Sequence, residues 1–157
     1  MLPRFEAALA TYCSAKYCSA VNSATSALHL ACLAVGLGQG DFIWTVPNTF
    51  VASANCGIYC GAFVDFVDID IETYNLDTKK LESKLEAAAV CGKLPKAIVV
   101  VHFAGLSCDM KSINRLRKKF GFYVIEDASH AIGAEFCGNK VGCCQYSDLC
   151  VFSFHPV

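Results

Sequence analysis

The residues with the plainest chemical potential lie at 126–130 and 153–155. Phe122-Tyr-Val-Ile-Glu-Asp-Ala-Ser-His130 is a short apolar run that ends in a carboxylate, Asp127, with an imidazole, His130, three residues on. Leu149-Cys-Val-Phe-Ser-Phe-His155 has the same kind of ending, with a hydroxyl, Ser153, and a second imidazole, His155. In an open α/β sheet, ligands gather beyond the carboxyl ends of the strands, so polar groups placed there more often meet a ligand than support the fold. A third segment, Asn22-Ser-Ala-Thr-Ser-Ala-Leu-His29, puts small hydroxyl residues at the opening of a helix. The free N–H groups of a first turn, beside the Thr25 and Ser26 hydroxyls, can hold a phosphate or carboxylate without a lysine. Ordinary capping by Ser23 or Thr25 is the competing reading of that segment, and Asp127 can equally cap a short segment at 128–132. Taken together, an anion site, an acid and a serine at separate element ends fit one flat, charged cofactor lying across the strand ends.

Those groups need elements to carry them. Apolar spacing and stop signals predict helices over 3–14, 25–37 (closed by Gly38 and Gly40), 49–59, 77–90 and 110–120. Asp77 caps the fourth of these, and the fifth ends in Lys and Arg, which suits the helix dipole. Apolar runs at 17–21, 42–46, 62–67, 97–103, 122–126 and 149–154 read as strands. Short strands alternating with longer helices mean βα units, hence an α/β fold with a mainly parallel sheet and helices on both faces. No linker, internal repeat or low-complexity segment interrupts the pattern.

Composition bounds the function. A chain of 157 residues, 55% hydrophobic and 17% charged, is globular and core-rich. Thirteen basic against fourteen acidic side chains leave a net charge of −1 with no basic block, which argues against a nucleic-acid footprint. The N-terminus has no basic region followed by an apolar run, so a secretory leader is not expected and a cytoplasmic location is. The uncharged window of 23 residues at 42–64 is broken by Pro47, Asn48, Gly57 and Gly61, and fits a buried strand and helix rather than a membrane span. Eleven cysteines show no CxxC pair, so no metal site is expected and most read as reduced, buried, small hydrophobes. Gly36-Leu-Gly38-Gln-Gly40 follows a helix rather than a first strand, which excludes a nicotinamide fingerprint, and no P-loop pattern is present.

Five ordered segments carry a family resemblance: Asn22–His29, Pro47-Asn-Thr-Phe-Val-Ala-Ser-Ala-Asn55, Val101-His-Phe-Ala-Gly105, Glu126-Asp-Ala-Ser-His130 and Ser153-Phe-His-Pro-Val157. In order and spacing the chain resembles the DegT/DnrJ/EryC1/StrS family of pyridoxal-phosphate (PLP) sugar aminotransferases. The resemblance implies the large domain of the PLP-dependent transferase type I (aspartate aminotransferase) fold. Residues 1–157 would form an incomplete PLP-binding large domain without the small C-terminal domain. It further implies that Thr25 and Ser26 hold the cofactor phosphate with help from Ser153, and that Phe50 stacks on the pyridine ring. Asp127 would pair with the ring nitrogen and keep it protonated, so that the ring withdraws electrons from the reacting carbon. His130 would lie against the ring near its 3-oxygen, and His155 would sit nearby without an assigned role.

The implied reaction is ping-pong: an amino donor, glutamate, charges the cofactor, which then aminates a nucleotide-linked keto-deoxy sugar. The Ser-Phe-His ending resembles most the subgroup that aminates C4 of UDP-4-keto-6-deoxy-N-acetylhexosamines, as in pseudaminic acid precursor synthesis. In the family a Schiff-base lysine follows the Ser-Phe-His-x-x pattern, which here would be the residue after Val157. No catalytic residue is therefore expected within the chain, and the fragment alone is expected to be inactive. The family works as a homodimer. Two other readings stay open: a sugar dehydratase of the same family, with histidine replacing the lysine, and a non-catalytic binding protein using the fold. Trp44, where a small or β-branched residue is more usual, and the abundant cysteines depart from the family pattern.

Overall fold

The structure, a computed structural model, describes residues 1–155; Pro156 and Val157, the end of the fifth segment, lie outside them. The chain runs α1 (Leu2–Cys13), α2 (Ala24–Ala34), β1 (Phe42–Thr45), α3 (Ala52–Tyr59), β2 (Phe63–Phe66), α4 (Thr78–Cys91), β3 (Ala97–Val101), α5 (Met110–Phe120), β4 (Tyr123–Asp127), β5 (Glu135–Phe136), β6 (Asn139–Lys140) and β7 (Leu149–Val151). Five strands form one sheet in the order β2-β1-β3-β4-β7, every pair parallel.

Strand alternation splits the core into two layers. Ile43, Ala97, Val99 and Ile125 face α2 and α3, meeting Leu28, Ala31, Cys32, Ala52 and Cys56. Their neighbours Trp44, Ile98, Val100 and Val124 face α4 and α5, meeting Leu81, Leu85, Met110, Ile113 and Leu116. This is the expected α/β architecture with helices on both faces of a parallel sheet. Each fully buried leucine or isoleucine contributes roughly 1.5–3 kcal/mol of transfer free energy. The α3 layer lies especially close: a Cβ on Gly57 would fall 2.3 Å from the Ile43 Cγ2. Only glycine permits that approach.

The helices begin and end where their chemistry dictates. Asp77 Oδ1 accepts the Lys79 and Lys80 N–H groups at 2.8 and 3.1 Å and starts α4. Asp109 Oδ1 accepts the Ser112 N–H at 3.1 Å and starts α5, which Gly121 stops at φ 82°. The strong apolar stripe and basic last turn of α5 make its observed limits the predicted ones.

Several elements differ from expectation. Residues 17–21 form no strand. A strand needs a hydrogen-bonding neighbour, and β7 pairs with β4 alone among the described residues. Within 17–21, the Ala20 N–H goes instead to Glu6 Oε1 at 2.8 Å. Helix α2 stops at Ala34 because Gly36, at φ 71°, ends it before Gly38 is reached. Helix α3 begins at Ala52, since Thr49 to Val51 form a turn. The β5–β6 hairpin was not foreseen; Cys137 and Gly138 close it with φ 52° and 79°, the two positive values of a tight primed turn.

All eleven cysteines are free, but only Cys13, Cys32, Cys56 and Cys108 are buried, fewer than expected. Burial pushes the Cys108 thiol up to about 12 and the Cys144 thiol up to about 11. No helix among the described residues is long and apolar enough to cross a membrane.

Candidate functional site

Strands β3, β4 and β7 finish in register, with Val101 beside Asp127 and Asp127 beside Val151. Their carboxyl ends open on a cleft of about 1770 Å³, walled by α1, the extended 15–23 segment, the start of α2, the turn before α3 and the chain after β7. Thr25, Phe50, Asp127, His130, Ser153 and His155 all line it. Segments distant in sequence are therefore brought to one place, where the strand-end rule predicts a ligand.

Asp127 is 5% exposed at the tip of β4. Its Oδ1 accepts the Ser129 N–H at 3.2 Å and the Ser129 hydroxyl at 2.6 Å. Its Oδ2 accepts the Ser53 hydroxyl at 2.6 Å. A carboxylate offers about four lone-pair positions, so three protein donors leave one on Oδ2, and the residue borders the cleft. The bonds to Ser129 form a local turn, so Asp127 caps no helix at 128–132. A buried, oriented acceptor with one vacancy suits a ring N–H.

At the start of α2, Ser23 is the N-cap: its Oγ accepts the Ser26 N–H at 3.1 Å. That leaves the N–H groups of Ala24 and Thr25 without intrahelical partners. Thr25 faces the cleft. Ser26 is not in the cleft wall; its Oγ accepts the Ser23 hydroxyl at 3.1 Å, so both its polar groups serve the cap. The two readings of this segment thus coexist on different residues, with capping by Ser23 and an open first turn at Thr25.

Phe50 is 72% exposed at the cleft. His130 also lines the cleft, and its backbone oxygen would lie 2.7 Å from a Cβ at Gly105. Gly105 itself has φ 85°, so the turn after β3 can press against the His130 backbone only with glycine there. The Ser153 hydroxyl accepts the His155 N–H at 3.2 Å, and Phe154 packs edge-on against Phe5 of α1 at 5.2 Å between centroids. Asn48 donates to the Tyr74 carbonyl at 2.9 Å, while its buried Oδ1 has no protein partner among the described residues. Of the lysines, Lys16 reaches the cleft wall, with its Nζ 5.1 Å from the centre of the Tyr17 ring.

Sequence reasoning passed over two sets of residues. Ser53 and Thr49 were given no part in the site, yet Ser53 holds Asp127 and lies 2.8 Å from the Thr49 hydroxyl. The i, i+4 spacing of two hydroxyls across a predicted helix start was the available signal. His102 and Glu126 form the second set. His102 Nδ1 accepts the Cys108 N–H at 3.2 Å, so its Nε2 carries a proton and donates it to Glu126 Oε2 at 2.7 Å. The Ser147 hydroxyl donates to the other Glu126 oxygen. No local pattern could reveal partners so far apart in sequence.

The profile of the DegT/DnrJ/EryC1/StrS aminotransferase family matches residues 2–157. Over 154 residues the chain is 46% identical to the UDP-4-amino-4,6-dideoxy-N-acetyl-beta-L-altrosamine transaminase of Campylobacter jejuni, covering 98% of this chain and 39% of that one. It is 43% identical over 150 residues to the GDP-perosamine synthase of Caulobacter vibrioides, covering 96% and 38%. The Helicobacter pylori aminotransferase PseC, involved in the biosynthesis of pseudoaminic acid, superposes with a TM-score of 0.88 at 34% identity, over 99% of this chain and 40% of that one. The chain thus spans about two-fifths of the length of the curated relatives it matches.

Proposed function

The chain belongs to the DegT/DnrJ/EryC1/StrS aminotransferase family, and from that premise we propose that it holds the cofactor of a PLP-dependent enzyme that aminates a nucleotide-linked keto-deoxy sugar. The observation that carries this reading is the single open acceptor position on buried Asp127, in the same cleft as the first turn of α2, Phe50 and Ser153. When bound, PLP supplies an electron sink for the carbon that exchanges a proton.

The chain's own residues supply binding and orientation. Asp127, fixed by three donors, would accept the ring N–H and favour the protonated ring. Phe50 presents a ring face, which limits tilt of a flat ligand. Thr25, the α2 N–H groups and Ser153 would gather the phosphate, since a dianion at a helix start is favourable. Ser26 supports this site through the cap rather than by touching the ligand. His130, in the same cleft, would border the ring. The substrate reading is C4 of a UDP-4-keto-6-deoxy-N-acetylhexosamine with glutamate as donor, in cell-surface polysaccharide or pseudaminic acid synthesis, by a cytoplasmic homodimer. Exposed Leu30, Leu33, Ile58 and Tyr59 on the α2–α3 side support the dimer.

The test follows isotope. A longer protein that contains this chain, given ¹⁵N-glutamate and the 4-keto sugar nucleotide, is expected to place ¹⁵N on C4. The 157-residue chain by itself is expected to bind pyridoxamine 5′-phosphate without turnover. Absence of binding, or ¹⁵N at another sugar carbon, would overturn the cofactor reading or the C4 reading respectively.

A further inference from the structure

We propose that Ser53 is a positioning residue for the ring-binding carboxylate, the middle member of a directed hydroxyl relay from Thr49 through Ser53 to Asp127. The inference rests on the reading of the cleft as a PLP site. Its direction follows from proton counting. An ionised carboxylate only accepts, so the 2.6 Å bond to Asp127 Oδ2 takes the single Ser53 hydroxyl proton. Ser53 Oγ has then only lone pairs left, and the 2.8 Å bond to Thr49 must carry the Thr49 proton toward it. Thr49 borders the cleft, whereas Ser53 is fully buried and touches no ligand space.

The arrangement does more than fill a gap. Ser129 binds Oδ1 alone, which by itself leaves the carboxylate plane free to rotate about that oxygen. Ser53 fixes Oδ2 from the first turn of α3, an element anchored to β1 by the Gly57 contact. The remaining Oδ2 lone pair is thereby aimed, and its neighbour position is occupied so that water cannot claim it. A charged acceptor held at both oxygens meets its donor with less reorganisation than a free one.

Pyridoxamine 5′-phosphate, which needs no lysine, is the probe, titrated into the 157-residue chain by its fluorescence. Ser53→Ala is expected to weaken binding about fivefold to tenfold, the value of one or two net hydrogen bonds. Thr49→Val, which removes only the outer donor, is expected to cost about twofold to threefold, and Ser53→Thr, which keeps the hydroxyl, to restore tight binding. The ¹⁵N signal of the ring-labelled probe is expected to move toward its unprotonated position in Ser53→Ala, a change that a merely structural role would not cause. Circular dichroism of each ligand-free variant checks folding. Should Ser53→Ala unfold, the Thr49→Val loss and shifted ring signal decide alone. Wild-type affinity and an unmoved ring signal in Ser53→Ala, or in Thr49→Val where that variant decides, would overturn the relay while leaving the cofactor reading intact. Failure of the unaltered chain to bind the probe overturns both.

Discussion

Glu126 and Asp127 are neighbours in the chain, yet their carboxylates serve different sides of one sheet. Glu126 points into the α4–α5 layer, where His102 and Ser147 engage both oxygens and Cys108 fixes the imidazole from behind. Asp127 points toward α3 and the cleft, held by Ser53 and Ser129 with one position left open. The strand's two-residue period alone separates them. A buried acid with a protein donor on each oxygen, set away from the large cleft, acts as a structural rivet, whereas one in the wall of that cleft is open to a ligand. Two adjacent, chemically similar residues thus take up different tasks by geometry.

The sharpest way to break that contrast is His102→Ala. It strands the Glu126 carboxylate in a buried setting and removes the acceptor of the Cys108 N–H. Loss of a hydrogen bond to a buried carboxylate costs about 1.5–3 kcal/mol, and the stranded Cys108 N–H adds to it, so a denaturant titration is expected to show a large fall in unfolding free energy. An unchanged midpoint would mean that Glu126 is not the rivet described.

Asp127→Asn tests the other side. The amide keeps the size of the group but loses its charge, and affinity for pyridoxamine 5′-phosphate is expected to fall roughly 10- to 100-fold by fluorescence titration. Its folding penalty is expected to stay below that of His102→Ala. The reverse ranking of the two variants would exchange the roles assigned to the two carboxylates.

The smallest effect belongs to the opposite rim of the sheet, away from both acids. Lys96 Nζ lies 2.9 Å from Asp41 Oδ2 and holds that carboxyl below its usual range, with the Gly38 N–H assisting. A carboxyl depressed in the folded state stabilises above its unfolded value and loses that contribution as pH falls through the folded one. Stability is therefore expected to decline on acidification below the ordinary carboxylate range, and Asp41→Asn to flatten part of that decline. Both side chains are about one-third exposed, so solvent screening limits the pair to at most about 1 kcal/mol. Thermal melts across an acid pH series measure it.

What the sequence made legible follows from how local each signal is. Helix α5 was legible from its apolar pattern and basic last turn, and the structure adds the Asp109 cap and the Gly121 stop within the same thirteen residues. Thr25, Asp127, His130 and Ser153 lie where strand and helix ends are readable and ligands collect, whereas Phe50 came only from the family resemblance; all five line the cleft. Residues 17–21 read as a strand by composition, but pairing depends on a neighbour that composition cannot supply. Ser26 carried the right side chain for an anion site, and only the cap geometry showed its hydroxyl to be turned to Ser23. The His102–Glu126–Ser147 network joins β3, β4 and the segment before β7, so it exists only once the sheet has formed.

The cysteines have a practical consequence. Thiolate is the form that attacks electrophiles; burial suppresses it at Cys108, and Cys32 and Cys56 are fully enclosed. Cys91 and Cys137 stand at the surface. An alkylating reagent at neutral pH therefore meets two populations, one consumed promptly and one admitted only as the interior opens. The order in which mass is added along the chain becomes a clock for local unfolding, built in without any engineered label.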